Sequence, residues 1–67
     1  MTTDDLTGAI RKFTSANGHG PSFEELRDIL VYELNSAVSE DDLTEELGNA
    51  ILGGFIMKDD NGNFVVL

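Results

Sequence analysis

Residues 39–67 read SEDDLTEELGNAILGGFIMKDDNGNFVVL, and this stretch decides the fold. Ser39 is a favoured N-cap residue and Asp42 stands at the reciprocal position of a capping box, so the pattern predicts a helix that begins here. Gly53 and Gly54 end the helix, one of them in the left-handed conformation that glycine adopts without strain. The predicted inward face of the helix consists of Leu43, Leu47, Ala50 and Ile51.

A β-hairpin is predicted directly after the two glycines. Residues 55–59 and 64–67 are β-prone runs, and Asn61-Gly62 between them favours a two-residue type I′ turn. That turn pairs Ile56 with Leu67, Met57 with Val66 and Lys58 with Val65. Because a lone two-stranded hairpin is only marginally stable in water, one of its faces must pack on the helices. We expect Ile56 and Leu67 to form that contact row.

Two further helices are predicted ahead of this stretch. The first spans residues 3–16 behind an N-terminal threonine cap. The second begins after Ser22, which forms a capping box with Glu25, and the glycine-rich residues 17–21 separate the two helices. The segment around Pro21 is a candidate for a very short third strand. The inward faces are Leu6, Ala9, Ile10, Phe13 and Ala16 in the first helix and Phe23, Leu26, Ile29, Leu30 and Leu34 in the second, followed by Val38 as a core plug.

Length and composition bound the class of protein. Sixty-seven residues make one domain, residues 1–67, whose small core supplies only about 3–5 kcal/mol of net stability. The chain has no cysteine, which excludes a disulfide and a thiolate metal site. No apolar run approaches the roughly 18 residues that span a bilayer, and the N-terminal residues MTTDD are unlike a signal peptide. We therefore expect a cytoplasmic protein that does not contact a membrane.

The chain carries a net charge of −9, from 13 acidic and 4 basic residues. Such a charge repels nucleic acid and anionic membrane surfaces at long range. Two explanations remain open: the acidic surface meets a basic protein or imitates a phosphate backbone, or it keeps the protein soluble in a salt-rich cytoplasm. The rarity of lysine, present only at positions 12 and 58, favours the second, a halophile-like composition.

Several residues follow the pattern of a known class of domain. They are Ile10 and Phe13 in the first helix, the run Gly18–Ser22, then Phe23, Glu25 and Leu26 in the second helix, and finally Leu43, Leu47, Gly54, Phe55 and Ile56. With these residues the chain resembles a winged helix-turn-helix domain, in particular the N-terminal DNA-binding domain of LexA-type repressors, and more distantly MarR-type regulators. The resemblance implies a small α+β fold of three helices followed by a C-terminal β-hairpin wing. It also implies that the third helix enters the major groove of DNA while the wing contacts a flanking phosphate.

The third helix lacks the side chains that DNA binding needs. Proteins that read the major groove use Arg, Lys, Asn or Gln on the exposed helix face. The predicted exposed face consists of Asp41, Glu45, Gly48, Asn49 and Leu52. Only Asn49 among these can donate to a base edge. The helix carries five carboxylates and no cation, and each carboxylate adds roughly 1 kcal/mol of repulsion at contact distance from a phosphate.

These observations predict a non-enzymatic binding module that acts in a regulatory role through contact with a protein partner or a second copy of itself. The candidate contact residues are Asp41, Glu45, Asn49 and Leu52 on the third helix, with Val31 and Tyr32, which are apolar residues left over from the core. The alternative is a DNA-binding transcription regulator from a salt-adapted organism, with contacts from Asn49, Lys58, Arg11, Lys12 and Arg27. A third hypothesis is a DNA-mimicking inhibitor.

The sequence offers no catalytic constellation, no phosphate-binding glycine loop and no evident small-molecule site, so we expect neither an enzyme nor a cofactor. His19, the only histidine, lies in a glycine-rich turn and is interpreted as an exposed loop residue rather than a metal ligand or a pH switch. We expect the cations of the first two helices to be ion-paired with nearby acids, with Glu24 one turn from Arg27 as the partner of that arginine.

Overall fold

The computed structural model describes all 67 residues of the chain. Its elements in chain order are α1 (Thr3–Asn17), α2 (Phe23–Leu34), α3 (Glu40–Leu52), β1 (Ile56–Lys58) and β2 (Phe64–Val66). The two strands form one antiparallel sheet. This is the small α+β architecture of three helices and a C-terminal hairpin that the sequence predicts, and the prediction is confirmed.

Side-chain caps set where the helices begin. Thr2 and Ser22 each form a complete capping box, in which the backbone N–H of the cap donates to the side-chain carboxylate of the third helical residue. At α3 only half of the predicted box forms, because the backbone N–H of Asp42 donates to Ser39 Oγ at 3.0 Å without a bond in return. α1 extends one residue beyond its predicted end, where Gly18 closes it in the left-handed conformation with φ 77°.

The helices and the hairpin pack around one apolar core. Its buried residues are Leu6, Ala9, Ile10, Leu26, Leu30, Val38, Leu43, Leu47, Ala50, Ile56 and Phe64. Two residues of the predicted inward helix faces are exposed instead, namely Ala16 and Ile51, and Ile51 keeps 42% of its surface. Ile51 lies about 100° around α3 from Ala50, beyond the arc that packs on α1 and β1. Ala16 lies where a groove opens between the end of α1 and α2.

The hairpin turn differs from the predicted type I′ turn. The backbone N–H of Gly62 donates to the Asp59 carbonyl at 3.0 Å, and the Asp59 N–H donates to the Asn63 carbonyl at 2.8 Å. Gly62 has φ 82° whereas Asn61 has no positive φ, so the loop is a three-residue type I turn with a G1 bulge. The Asp59 carboxylate supports this turn, because its Oδ1 accepts the N–H groups of Asn61 and Asn63, each at 2.9 Å.

The longer loop shifts the strand register by one residue. The pairs are Ile56 with Val66, Met57 with Val65 and Lys58 with Phe64. The predicted register is therefore wrong. Because side chains alternate across a strand, Phe64 and Val66 face the helices beside Ile56. Leu67, predicted to lie in the contact row, is turned outward and keeps 68% of its surface.

One backbone hydrogen bond, rather than a third strand, joins the hairpin to the segment before α2. The Phe64 N–H donates to the Pro21 carbonyl at 2.8 Å, and no strand forms around Pro21. Gly20 lies so close to β2 that a Cβ at this position would stand 1.9 Å from the Phe64 carbonyl oxygen. This close approach of two backbones is why glycine is required at position 20.

Candidate functional site

The outer face of α3 is the contact surface that the sequence predicts. Leu43 and Leu47 anchor the opposite face in the core, with 0% and 4% of their surfaces exposed. The residues of the outer face are all exposed, and they are Asp41, Glu45, Gly48, Asn49 and Leu52. Leu52 keeps 88% of its surface. These residues therefore point to solvent, whereas their role as contact residues stays a prediction.

Most carboxylates of α3 have no cationic partner. Glu40 alone forms an ion pair, in which a terminal nitrogen of Arg27 lies 3.0 Å from Glu40 Oε1. The acids without a cation within ion-pair distance are Asp41, Asp42, Glu45 and Glu46. The acids of the first turn interact favourably with the helix dipole. Glu45 and Glu46 lie beyond that turn, so their charges face solvent without this compensation.

Arg27 joins α2 to the beginning of α3. Its Nε donates to the Val38 carbonyl at 3.0 Å, and its terminal nitrogen donates to Glu40 at 3.0 Å. The predicted pairing of Arg27 with Glu24 is therefore wrong. A guanidinium that reaches two acceptors at once is held more firmly than one that reaches a single exposed carboxylate on its own helix.

The other cations do not form a basic patch, because Arg11 and Lys12 line different sides of α1 and Lys58 lies on β1. Lys12 Nζ donates to Glu33 at 2.7 Å, and this hydrogen bond together with the Glu33 charge raises the pKa of Lys12. Lys58 Nζ lies 5.8 Å from the centroid of the Phe64 ring. Arg11 lines a cleft between α1 and β2 and has no acidic partner. The expected ion pairing with acids is thus confirmed for Lys12 and for Arg27, the latter with Glu40 in place of Glu24, whereas for Arg11 it is wrong.

The apolar residues left over from the core do not form one cluster. Val31 and Tyr32 lie near the end of α2 with 39% and 85% of their surfaces exposed. Tyr32 lines a groove of about 530 Å³ between α1 and α2, together with Phe13 and Ile29. Leu52 lies in the last turn of α3 and does not line this groove. Val31 does not line it either, so the structure does not bring the six predicted contact residues together on one surface.

A further apolar surface lies on the outer face of the hairpin and was missed by the sequence reasoning. It consists of Phe55, Met57, Val65 and Leu67, and we call it the hairpin patch. Met57 pairs with Val65 across the strands, and the Leu67 N–H donates to the Phe55 carbonyl at 3.0 Å, so the four side chains share one face. Phe55, Met57 and Leu67 keep 53%, 44% and 68% of their surfaces. Because the strands are apolar at successive positions, each face of the hairpin carries apolar side chains. A prediction of a three-residue loop from the sequence would therefore have identified this patch.

His19 and Glu25 interact with residues that are close to them in the sequence. His19 is exposed, its Nδ1 lies 2.8 Å from the Gly20 carbonyl oxygen, and its ring packs edge-on against Phe13 with 5.4 Å between centroids. The backbone N–H of Ser22 donates to the Glu25 carboxylate and lowers its pKa.

No group of three or more His, Cys, Asp or Glu residues is placed to hold a metal ion. None of the helices combines the length and the apolar character needed to cross a bilayer.

No protein-family model matches this chain, and neither a curated protein nor a solved structure matches it. The arrangement of three helices and a hairpin is compatible with a winged-helix-like shape. Membership in the winged helix-turn-helix class, which the sequence resembles, stays a prediction.

Proposed function

We propose that this protein is a non-enzymatic winged-helix binding module that contacts a protein partner through the outer face of α3, in a regulatory role. The observation that carries the proposal is the set of outward carboxylates on α3, whose exposed face holds no cation. The partner that fits this face presents a basic surface beside an apolar depression. We also propose that the protein is cytoplasmic, as its sequence leads us to expect.

The spacing along α3 supports a single contact surface. Positions 41, 45, 48 and 52 follow one another at intervals of four, three and four residues, so they form one stripe along the helix, which we call the α3 stripe. Asp41 and Glu45 lie one turn apart and can share a lysine or arginine of the partner. Asn49 lies beside the stripe and offers an amide donor and acceptor. The charges chiefly select the partner and speed its association.

Leu52 supplies the apolar anchor of the proposed contact. It ends the stripe with 88% of its surface exposed. Full burial of a leucine side chain contributes about 1.5–3 kcal/mol, which is more than a solvent-exposed ion pair contributes. We therefore expect Leu52 to determine much of the affinity and the carboxylates to determine specificity.

The same carboxylates oppose the alternative, a DNA-binding regulator. Like charges at contact distance repel by roughly 1 kcal/mol per pair in water, and added salt screens this repulsion without making it attractive. Lys12 and Arg27 are already paired with acids, and Lys58 lies over an aromatic ring. The third hypothesis, a DNA-mimicking inhibitor, is the special case in which the basic partner is itself a nucleic-acid-binding protein.

Backbone amide NMR separates protein contact from DNA contact. We expect saturable shift changes along residues 41–52 on titration with an amphipathic peptide of lysine and leucine. On titration with duplex DNA at ~50 mM salt we expect none. Saturable changes along α3 with the duplex, lost in Asn49→Ala, would establish the DNA-binding alternative. A peptide that leaves the α3 amides unchanged would remove the proposed contact.

A pair of charge-reversal variants tests where the peptide binds. Glu45→Lys changes the charge of the α3 stripe, and Asp60→Lys makes the same change in net charge at the exposed tip of the hairpin. We expect Glu45→Lys to weaken peptide binding several-fold more than Asp60→Lys. Equal weakening by the two variants would mean that only net charge matters and that α3 is not the contact surface.

A further inference from the structure

We infer that the hairpin patch is a self-association surface, on which a second copy of this chain docks around a twofold axis. None of the residues of the hairpin patch belongs to the α3 stripe. The inference therefore goes beyond the function proposed above and stands or fails separately from it.

The two faces of the hairpin are both apolar, but only one of them is covered. On the inner face, Ile56 and Phe64 keep 1% and 4% of their surfaces, because the helices pack over them. A sheet that packs on one side and meets water on the other ordinarily carries polar side chains on its outer face. Phe55, Met57 and Leu67 occupy that outer face and remain about half exposed or more. This cluster of apolar side chains makes the outer face of the hairpin a candidate contact surface.

The distribution of charge selects a second copy as the occupant. The chain has a net charge of −9, yet it has no acidic residue between Glu46 and Asp59 and none after Asp60. Every helix begins with acidic residues in its first turn, so two copies that meet through the beginning of a helix bring like charges together. The hairpin patch itself contains no acidic side chain, and Asp59, the acidic residue next to it, has its carboxylate engaged by the N–H groups of Asn61 and Asn63. A basic partner would instead be drawn to the acidic surfaces.

The size of the patch fits a weak dimer. The exposed fractions of Phe55, Met57 and Leu67 amount to about one and two-thirds whole residues, to which Val65 adds a partly exposed one. This corresponds to apolar surface on the order of 200–300 Å² per copy, against the roughly 800 Å² that each partner contributes to a standard interface. The patch therefore forms the apolar centre of an interface with a polar rim. We expect a dissociation constant on the order of 100 μM.

Salt dependence gives the proposed dimer a distinctive property. Two copies with a net charge of −9 repel each other at low salt. At ~1 M salt the screening length falls to about 3 Å, so this repulsion is removed while the apolar contact remains. Added salt therefore strengthens the dimer, whereas it weakens the contact between acidic and basic surfaces proposed for α3.

Sedimentation equilibrium tests the dimer, at protein concentrations from ~10 μM to ~1 mM and at low and high salt. Leu67→Glu places a carboxylate in the patch, and Met57→Glu is a second variant on the other strand. Tyr32→Glu is the matched control, because Tyr32 is a large exposed residue outside the patch and the substitution adds the same charge. We expect both patch variants to weaken the dimer by about tenfold or more, while the control matches the unchanged protein. Circular dichroism checks that each variant is folded.

Three results would overturn the inference. One is an unchanged protein that stays monomeric at ~1 mM in high salt. Another is a dimer that persists in both folded patch variants. A third is a dimer that Tyr32→Glu disrupts and Leu67→Glu does not, which would place the interface at the groove between α1 and α2. Peptide binding by α3 is measured at ~10 μM protein, where the chain is mainly monomeric, and we expect it to be the same in Leu67→Glu. The experiments therefore show separately whether the dimer proposal fails and whether the α3 proposal fails.

Discussion

Replacing Gly20 with alanine tests how the hairpin is held against the segment before α2. The new Cβ would lie 1.9 Å from the Phe64 carbonyl oxygen and 2.9 Å from the carbonyl carbon. Non-bonded heavy atoms of this kind are comfortable at about 3.5 Å or more, so the two segments must separate by more than ~1 Å. The position of the Cβ is fixed by the backbone at residue 20 and its neighbour is a backbone carbonyl, so no side-chain rotation relieves the contact.

The expected cost follows from what this separation disturbs. It breaks the 2.8 Å hydrogen bond from the Phe64 N–H to the Pro21 carbonyl, a loss of about 1 kcal/mol. It also withdraws the Phe64 ring, 4% exposed, from its place in the core, and such strain typically costs about 1–3 kcal/mol. Alanine restricts the unfolded chain and thereby offsets about 0.4–1 kcal/mol. We expect Gly20→Ala to lower the free energy of unfolding by about 1–3 kcal/mol, a large share of what so small a core supplies.

Urea denaturation followed by circular dichroism at ~10 μM protein measures this change without interference from self-association. Gly48→Ala is the matched control, because Gly48 lies exposed within α3 and a Cβ there meets nothing within 4 Å. We expect the control to raise the free energy of unfolding by up to about 1 kcal/mol, from helix propensity alone. In thermal unfolding each kcal/mol corresponds to about 4–8 °C. A Gly20→Ala protein as stable as the unchanged protein would refute the close approach of the two segments.

The hairpin turn and the cap of α2 provide two further predictions. Asp59→Ala removes two hydrogen bonds of 2.9 Å within the loop, so we expect about 0.5–2 kcal/mol of destabilisation in urea and faster amide exchange in the strands. Asp60→Ala, at an exposed residue without such bonds, should change neither, and equal effects of the two variants would contradict the turn assignment. The pKa of Glu25 is lowered by the hydrogen bond from Ser22, so its stabilisation is present at neutral pH and is lost as the pH falls below the ordinary value of 4.5 through the lower folded value. Glu25→Gln should flatten that part of the stability curve relative to Glu24→Gln, and an equally steep curve in both variants would argue against the cap.

Part of the acidity of this chain has a local structural reason. Seven of the 13 acidic residues lie in the first turns of the three helices, where they complement the helix dipoles. Other acidic residues, such as Glu45, neither cap a helix nor pair with a cation. Their charge needs a different explanation, which is either a basic partner or a salt-rich cytoplasm. The comparison of Glu45→Lys with Asp60→Lys tests whether such an unpaired carboxylate contributes to the binding of a basic partner.

The sequence by itself determined the kind and order of the elements. The Ser22 box, the Ser39 cap and the Gly53–Gly54 stop act over three or four neighbouring residues, so they need no information from the rest of the chain. Apolar spacing likewise identified most of the core. It also placed the α3 stripe outward, since a helix with one apolar face turns its opposite face to water. This is why one candidate surface could be predicted before the fold was seen.

Only the tertiary structure decided the hairpin register and the ion pairs. Residues 59–63 are compatible with a two-residue or a three-residue loop, and the choice depended on the bonds of Asp59 and on the burial of Phe64 beneath the helices. A shift of one residue exchanges the two faces of a strand, so this choice moved Leu67 to the surface and created the hairpin patch. Arg27 similarly pairs with Glu40 across the turn between α2 and α3. These features depend on which distant groups the packed chain brings together, and a pattern of neighbouring residues does not contain that information.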